Sequence, residues 1–327
     1  MKEKNVKKAF TLIELSIVVL IISVLISGGL QVSINAMNNA KIKTTRDRMN
    51  EIYKALGNYA LANKRLPCAA SITDLKSSSS TYGNEPSTCS SATAGIYTSA
   101  NASNLIYGMV PIKALGLSLD MAEDGFGNKF AYVVDTNFVK TDGSAFSSYS
   151  SIIIKENQGG STDQTIVPAS GASVSDGAIF AIISHGQNQL GAFPSNSSNM
   201  NTRSSDTKEQ DNDLGAATTS PTFDSTFFSF AKNSDTFDDM VFYKSRNFFL
   251  LDFNALFLVK CAPTATNSGD VANCTGGTCA WPETYYNQIA ISTTTCVSPY
   301  TTTVKYPTKR CGAFGVWQAG TISPCTQ

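Results

Sequence analysis

The chain has a single histidine, His185, and no Cys-x-x-Cys pair among its 327 residues. Zinc centres are built from closely spaced cysteines and histidines, so this scarcity excludes the usual kinds of zinc site. No Gly-x-Ser-x-Gly occurs either, which removes the common nucleophile turn of serine hydrolases. An enzyme would have to combine His185 with a serine, oriented by Asp176 or Asp206. We therefore expect a protein without catalytic activity.

Net charge is also lacking, because 25 basic and 25 acidic residues cancel. A nucleic-acid-binding surface normally shows as a basic patch, and Lys and Arg cluster only in the first eight residues. We predict no nucleic-acid partner.

One long apolar run is present, over residues 10–30, and Glu14 is its only formally charged residue. Its length suits a helix that crosses about 30 Å of hydrocarbon. Basic residues precede it, which predicts a cytoplasmic amino terminus and an exported remainder; they are Lys2, Lys4, Lys7 and Lys8. A carboxylate inside such a run costs roughly 2.5–3.5 kcal/mol on insertion scales, so Glu14 is expected to have a partner and a function.

The segment around Glu14 resembles the leader region of type IV pilins and type II secretion pseudopilins, through the sequence Ala9-Phe10-Thr11-Leu12-Ile13-Glu14. The resemblance implies that a prepilin peptidase cuts between Ala9 and Phe10 and that the new amine of Phe10 is methylated. It also implies an assembly role for Thr11 and Glu14, whose acid would pair with the amine of a neighbouring subunit. Ala9 stands where that family usually has Gly.

The pattern after residue 30 becomes amphipathic, with apolar residues at three- and four-residue steps through Met49, Ile52 and Leu56. This predicts one helix from residue 10 to about 65, ended by Leu66 before Pro67. Short apolar runs at 130–134, 151–154, 178–183 and 239–243 predict strands. The fold class is therefore α+β, with the helix laid on an antiparallel sheet. Residues 195–222 have almost no large apolar side chain and predict a mobile loop.

All eight cysteines follow the apolar run, which indicates disulfides formed in an oxidising compartment. For a protein that resembles pilins, this implies the periplasm. They are Cys68, Cys89, Cys261, Cys274, Cys279, Cys296, Cys311 and Cys325. A Cys68–Cys89 bridge would tether the long loop between them.

The last 67 residues contain six of these cysteines and few aliphatic side chains, which predicts a small module held by disulfides. Its Cys and Trp spacing resembles extracellular modules of the sushi or hormone-receptor type. That resemblance implies three pairs, Cys279–Cys311, Cys296–Cys325 and Cys261–Cys274. The sequence alone permits fifteen connectivities.

Aromatic residues of this module have two interpretations, the core of the module or a binding face. The residues are Trp281, Tyr285, Tyr286, Tyr300 and Trp317.

No cofactor is expected, and a structural calcium ion is left open at two acidic groups. The first group is Asp120, Glu123 and Asp124 with Asn128, and the second is Asp206, Asp211 and Asp213. Neither has the spacing of the twelve-residue calcium loop.

These predictions combine into a leader (1–9), a membrane-spanning helix (10–30), its amphipathic continuation (31–65), a periplasmic head (66–260) and a disulfide-rich module (261–327). The resemblance implies a minor pilin or pseudopilin of a type IV pilus or type II secretion pseudopilus. Its partners would be other such subunits, the prepilin peptidase, the inner membrane and its assembly platform. The alternatives are a pilus-displayed adhesin that binds through the terminal module and, third, a membrane-tethered periplasmic enzyme.

Overall fold

The computed structural model describes residues 11–77, 80–89, 94–158, 163–168, 177–215, 221–230, 237–261, 264–266, 279–285, 287–291, 293, 308–311 and 317–318. Of residues 25–32, 230, 264–266, 279, 291 and 308 it describes the backbone alone. The described residues form an α+β structure in which a long N-terminal helix packs on antiparallel strands, as the sequence predicts.

The helices are α1 Leu12–Asn63, α2 Thr207–Gln210 and α3 Arg246–Asp252. The strands are β1 Tyr97–Ser99, β2 Ala102–Met109, β3 Ala131–Asp135, β4 Ile153–Asn157, β5 Gln164–Val167, β6 Ala178–Ser184, β7 Thr226–Phe230, β8 Met240–Ser245, β9 Lys260–Cys261, β10 Thr264–Thr266, β11 Cys279–Trp281, β12 Thr284–Tyr285, β13 Ile289–Ile291 and β14 Thr308–Arg310.

Helix α1 is continuous over 52 residues, which confirms the prediction of one long helix. It ends because Lys64 adopts a left-handed conformation (φ 58°) and its N–H bonds to the carbonyl of Ala60, just before Pro67. The buried stripe of its second half follows three- and four-residue steps, through Thr45, Met49, Ile52, Leu56 and Ala60.

Within the residues that the structure describes, no helix combines the length and the apolar character needed to cross a membrane. The membrane-spanning part expected over residues 10–30 includes Phe10, which lies outside the described residues, and it stays a prediction.

The main sheet has five antiparallel strands in the order β1–β2–β3–β6–β8. All seven residues of β6 are buried, because the strand lies inside the sheet and its apolar run is covered on both faces. Strands β3, β6 and β8 confirm the apolar runs at 130–134, 178–183 and 239–243, and β4 overlaps the run at 151–154.

Aromatic rings join α1 to this sheet. The ring of Tyr53 lies 6.2 Å from that of Phe180 on β6 and 5.2 Å from that of Phe242 on β8. Phe249 of α3 lies 6.1 Å from Tyr53 and 6.2 Å from Phe180. The helix is thus held against strands β6 and β8 by a shared aromatic core.

A smaller sheet has the order β5–β4–β7 and is mixed, since β4 pairs antiparallel with β5 and parallel with β7. Its parallel pair joins residues about 70 positions apart, with Ile154 opposite Phe227. The sequence did not predict this sheet.

The prediction of a mobile loop at 195–222 is wrong for the residues of this segment that the structure describes. Helix α2 lies inside this segment, and Ser204, Glu209, Asn212 and Leu214 are all buried. Asn212 bonds both the N–H and the carbonyl of Phe228, so a polar side chain occupies an interior position at little cost. Composition suggested a loop because such partners are not visible in the sequence.

The Cys68–Cys89 disulfide is present, as predicted. The second described disulfide joins Cys261 to Cys311, so the expected pairs Cys279–Cys311 and Cys261–Cys274 are wrong. Strand β9 brings Cys261 beside β12, and the N–H of Cys311 bonds the carbonyl of Gln288 on the same side of the module. Cys274, Cys296 and Cys325 lie outside the described residues, so the pair Cys296–Cys325 stays a prediction.

The predicted boundary at residue 261 falls within β9. Lys260, the other residue of that strand, bonds to both sides: its N–H donates to Oγ of Ser147 at 3.1 Å, and its Nζ lies 2.7 Å from Glu283. A separate terminal module stays a prediction.

Candidate functional sites: the helix amino terminus and a buried carboxylate cluster

Glu14 lies at the first turn of α1, where it forms a reciprocal cap with Thr11. The N–H and the hydroxyl of Thr11 donate to Oε2 of Glu14 at 2.9 and 2.8 Å, and the N–H of Glu14 donates to Oγ1 of Thr11 at 3.3 Å. The helix amino terminus favours negative charge, so the acid faces back towards the preceding residues. Ala9 and Phe10, the predicted cut, directly precede this cap and lie outside the described residues.

The first half of α1 exposes its apolar side chains. Leu12 is 88% exposed and Leu20 is 64% exposed. The other exposed large apolar side chains described in this half are Ile13, Leu15, Ile17, Val18, Val19, Ile21, Ile22, Val24, Ile34 and Met37. An apolar surface of this extent indicates a lipid or protein partner.

Of the five aromatic residues considered for a binding face, the structure describes three. Trp281 is 1% exposed and belongs to the interior, so the binding-face prediction is wrong for it. Tyr285 is 38% exposed and Trp317 is half-buried. Tyr286 and Tyr300 lie outside the described residues.

His185 directly follows β6 and is 1% exposed. Its Nδ1 lies 3.5 Å from Oδ2 of Asp239 without the alignment of a hydrogen bond, and its Nε2 has no hydrogen-bond partner within the described part of the chain. Asp206 instead caps α2 by accepting the N–H of Lys208 at 2.9 Å, and Asp176 lies outside the described residues. The side chain that faces His185 is therefore Asp239, which the sequence did not suggest.

The first acidic group considered for calcium is engaged by other partners. Asp120 and Glu123 both pair with Nζ of Lys76, at 2.8 and 2.7 Å. Oδ1 of Asp124 accepts the N–H of Asn128 at 2.9 Å, which closes a turn against α1. Asp120 and Glu123 thus share a lysine, while Asp124 is held within its own turn.

The second acidic group is also dispersed. Asp206 caps α2, and Asp213 pairs with Nε of Arg203 at 2.7 Å while its Oδ1 accepts the N–H of Gly215 at 2.6 Å. Burial, together with nearby Asp224, raises the pKa of Asp211 to about 6.

Three other carboxylates do converge, those of Glu209, Asp238 and Asp239. One oxygen of each lies within 4.8 Å of the others. Glu209 comes from α2, and the two aspartates directly precede β8. Glu209 is 1% exposed and Asp239 is fully buried, whereas Asp238 is half-buried. We call these three residues the carboxylate cluster.

Burial makes the cluster electrostatically expensive, because a carboxylate away from water favours its neutral form. Burial raises the pKa of Asp238 to about 6 and that of Asp239 to about 6. Burial alone would lower the pKa of His185, but the facing carboxylates of Asp239, Asp213 and Asp124 raise it above its ordinary value. The site thus favours bound protons or a bound cation.

Sequence reasoning missed all three cluster residues. The adjacent pair Asp238 and Asp239 before an apolar strand is a local signal, but acidic pairs are common at strand ends. Glu209 is 29 positions from Asp238 and carries no signal that links them. Only the packing of α2 against the start of β8 brings them together.

Comparison with known proteins bears on the amino-terminal site. Residues 4–30 match the family model of the prokaryotic N-terminal methylation motif, the signature of type IV pilins and pseudopilins. The match includes the predicted cut after Ala9 and also Glu14, so the resemblance drawn from residues 9–14 is confirmed. No curated protein and no solved structure matches the chain.

Proposed function

We propose that the chain is a minor pilin or pseudopilin, a structural subunit of a type IV pilus or a type II secretion pseudopilus. A prepilin peptidase removes residues 1–9 and methylates Phe10. The mature subunit then enters a filament through its amino-terminal helix, and its role is structural rather than catalytic.

The observation that carries this proposal is the methylation motif over residues 4–30 together with the exposed apolar half of α1. A leader of this kind is a substrate of one peptidase class, and an exposed apolar helix needs cover. Before assembly the inner membrane supplies that cover, and within the filament neighbouring helices supply it.

Glu14 provides the assembly chemistry. In the single chain the carboxylate of Glu14 accepts hydrogen bonds from Thr11. These bonds partly offset the free-energy cost of burying the carboxylate. Cleavage exposes a charged amine at Phe10, and an ion pair between that amine and Glu14 of the adjacent subunit sets the axial register. A buried pair is specific because either partner alone is costly.

In this proposal the uncut protein sits in the inner membrane with a cytoplasmic amino terminus, because the basic residues precede the apolar run. The head lies in the periplasm, where its disulfides form. Partners are other pilin or pseudopilin subunits, the prepilin peptidase and the inner-membrane assembly platform.

Mass spectrometry of the amino terminus tests the processing step. Protein purified from cells with a prepilin peptidase should begin at methylated Phe10, and cells without the peptidase should retain Met1. A mature chain that keeps Met1 in both strains, or a cut beyond residue 30, contradicts the proposal.

Substitution of Glu14 tests assembly. Glu14→Ala removes both the cap and the intersubunit charge, whereas Thr11→Ala removes the cap alone, at a cost of about 1 kcal/mol to helix stability. We expect Glu14→Ala to insert into the membrane normally and to be depleted from sheared filaments. Thr11→Ala keeps the carboxylate and should reduce incorporation less than Glu14→Ala does, whereas the exposed control Ser16→Ala should be incorporated as the unmodified chain is. Equal incorporation of Glu14→Ala refutes the register role.

A further inference from the structure

Each carboxylate of the cluster has one oxygen that is held by a protein donor. Oδ2 of Asp238 accepts the N–H of Asn188 at 2.8 Å, and Oε1 of Glu209 accepts the side-chain amide of the same asparagine at 2.8 Å. Oδ2 of Asp239 accepts the side-chain amide of Asn212 at 2.9 Å. The three acids are therefore oriented rather than free to turn away.

The second oxygen of each acid is buried and has no hydrogen-bond partner among the residues that the structure describes. These atoms are Oδ1 of Asp238, Oε2 of Glu209 and Oδ1 of Asp239. Removing such an oxygen from water without a partner costs about 1–3 kcal/mol, and more when it is charged. Three such oxygens belong to carboxylates that each bring one oxygen within 4.8 Å of the others, and their cost is one that a bound positive charge would remove.

Basic side chains do not supply that charge. No ion pair joins Glu209 or Asp238 to a basic group in the part of the chain that the structure describes. Arg203 is used by Asp213, and His185 approaches Oδ2 of Asp239, the oxygen that is already held. His185 thus approaches the held oxygen of Asp239 and makes no hydrogen bond to the unpartnered oxygens of the three acids in the described residues.

We propose that Glu209, Asp238 and Asp239 bind one hard divalent cation of the Ca²⁺, Mg²⁺ and Mn²⁺ class through their unpartnered oxygens. The donor set consists of carboxylate oxygens without sulfur or nitrogen, which hard cations prefer. Oriented ligands whose second oxygens are hydrogen-bonded are also the usual support of a metal site.

A cavity beside α1 reaches one member of the cluster. It has a volume of about 120 Å³ and is lined by Ile42 and Arg46 of the helix and by Asp238, but not by Glu209 or Asp239. Gly186 allows the turn after β6 to approach Asp238 closely, because a Cβ at this residue (φ +58°) would lie 2.4 Å from Oδ1 of Asp238. The cation joins the turn after β6, α2 and the start of β8, so its binding stabilises the head.

Direct binding to the purified full-length chain tests the proposal. The detergent-solubilised protein is stripped with EDTA, and Ca²⁺, Mg²⁺, Mn²⁺ and Zn²⁺ are titrated separately by calorimetry and by thermal unfolding. We expect one hard cation per chain and a Tm that rises with its concentration, as binding to the native state alone requires.

Glu209→Gln and Asp239→Asn should weaken that binding at least tenfold. In the EDTA-treated protein, Glu209→Gln should leave Tm unchanged or raise it, because it removes an uncompensated buried charge; a residue with only a structural role would lower it. Asp238→Asn, at the half-buried position, repeats the test with less risk to folding. Asp120→Asn, an exposed acid paired with Lys76, is the matched control and should bind as the unmodified chain does.

Three results overturn the proposal. The first is that the folded, EDTA-treated chain binds none of the hard cations. The second is that it binds Zn²⁺ alone and loses this binding with His185→Gln. The third is that cation binding survives Glu209→Gln and Asp239→Asn but is lost with Asp120→Asn.

Discussion

Gly57 lies in the interior of α1, where its contact with Phe253 allows a prediction whose sign is informative. A Cβ at residue 57 would lie 2.0 Å from Cε1 of Phe253. The ring cannot swing aside freely, since its centroid is 5.0 Å from those of both Tyr53 and Phe249. Gly57 is therefore required for the close approach of the segment after α3 to the helix.

Two effects of Gly57→Ala oppose each other. Helix propensity favours Ala over Gly by roughly 1 kcal/mol in a helix interior. Ordinary contact needs about 3.4 Å, so the ring must retreat by about 1.4 Å, and overpacking of this kind costs about 1–3 kcal/mol. Because the ring is packed on two sides, we expect the steric cost to prevail, with a net loss of up to about 2 kcal/mol in the free energy of unfolding.

Urea unfolding of the full-length chain in detergent measures this loss. Asn58→Ala, at the exposed neighbouring position, reports helix propensity alone and should stabilise by a few tenths of a kcal/mol. In a Phe253→Leu background the clash is relieved, so Gly57→Ala should become stabilising there. If Gly57→Ala stabilises the protein equally in both backgrounds, the ring does not restrict this position and the reasoning fails.

Two further predictions concern a buried lysine and the second disulfide. Burial lowers the pKa of Lys129 to about 8, below the roughly 10.4 of an unfolded chain. The unfolded state therefore holds more protons between those values, and stability should rise by up to about 1.4 kcal/mol per pH unit there. Lys129→Met removes the titrating amine and should lack this rise. If the urea midpoints of both proteins change equally between pH 7.5 and pH 9.5, the prediction is contradicted. A non-reduced digest should contain the peptides of Cys261 and Cys311 joined to each other. The double substitution Cys261→Ser and Cys311→Ser should lower the free energy of unfolding by about 4 kcal/mol, as expected for a separation of 50 residues. A Cys279–Cys311 peptide would contradict that pairing.

The sequence by itself determined the features that depend on neighbouring residues. Neighbouring side chains determine the leader motif, the extent of α1 to Asn63 and its end before Pro67. Strands β3 and β6 were visible as apolar runs, because a strand buried on both faces needs apolar residues throughout. The Cys68–Cys89 bridge spans only 21 positions.

Tertiary structure alone decided the features that join distant segments. The Cys261–Cys311 bridge depends on the placement of β9 and its neighbours, which cysteine spacing does not encode. Residues 204–214 suggested a loop because they are polar, yet they are interior because Asn212 and its neighbours find hydrogen-bond partners there. Glu209 meets Asp239 for the same reason: whether a polar residue is solvated or buried depends on partners brought near by the fold, and a sequence records the residue but not its partners.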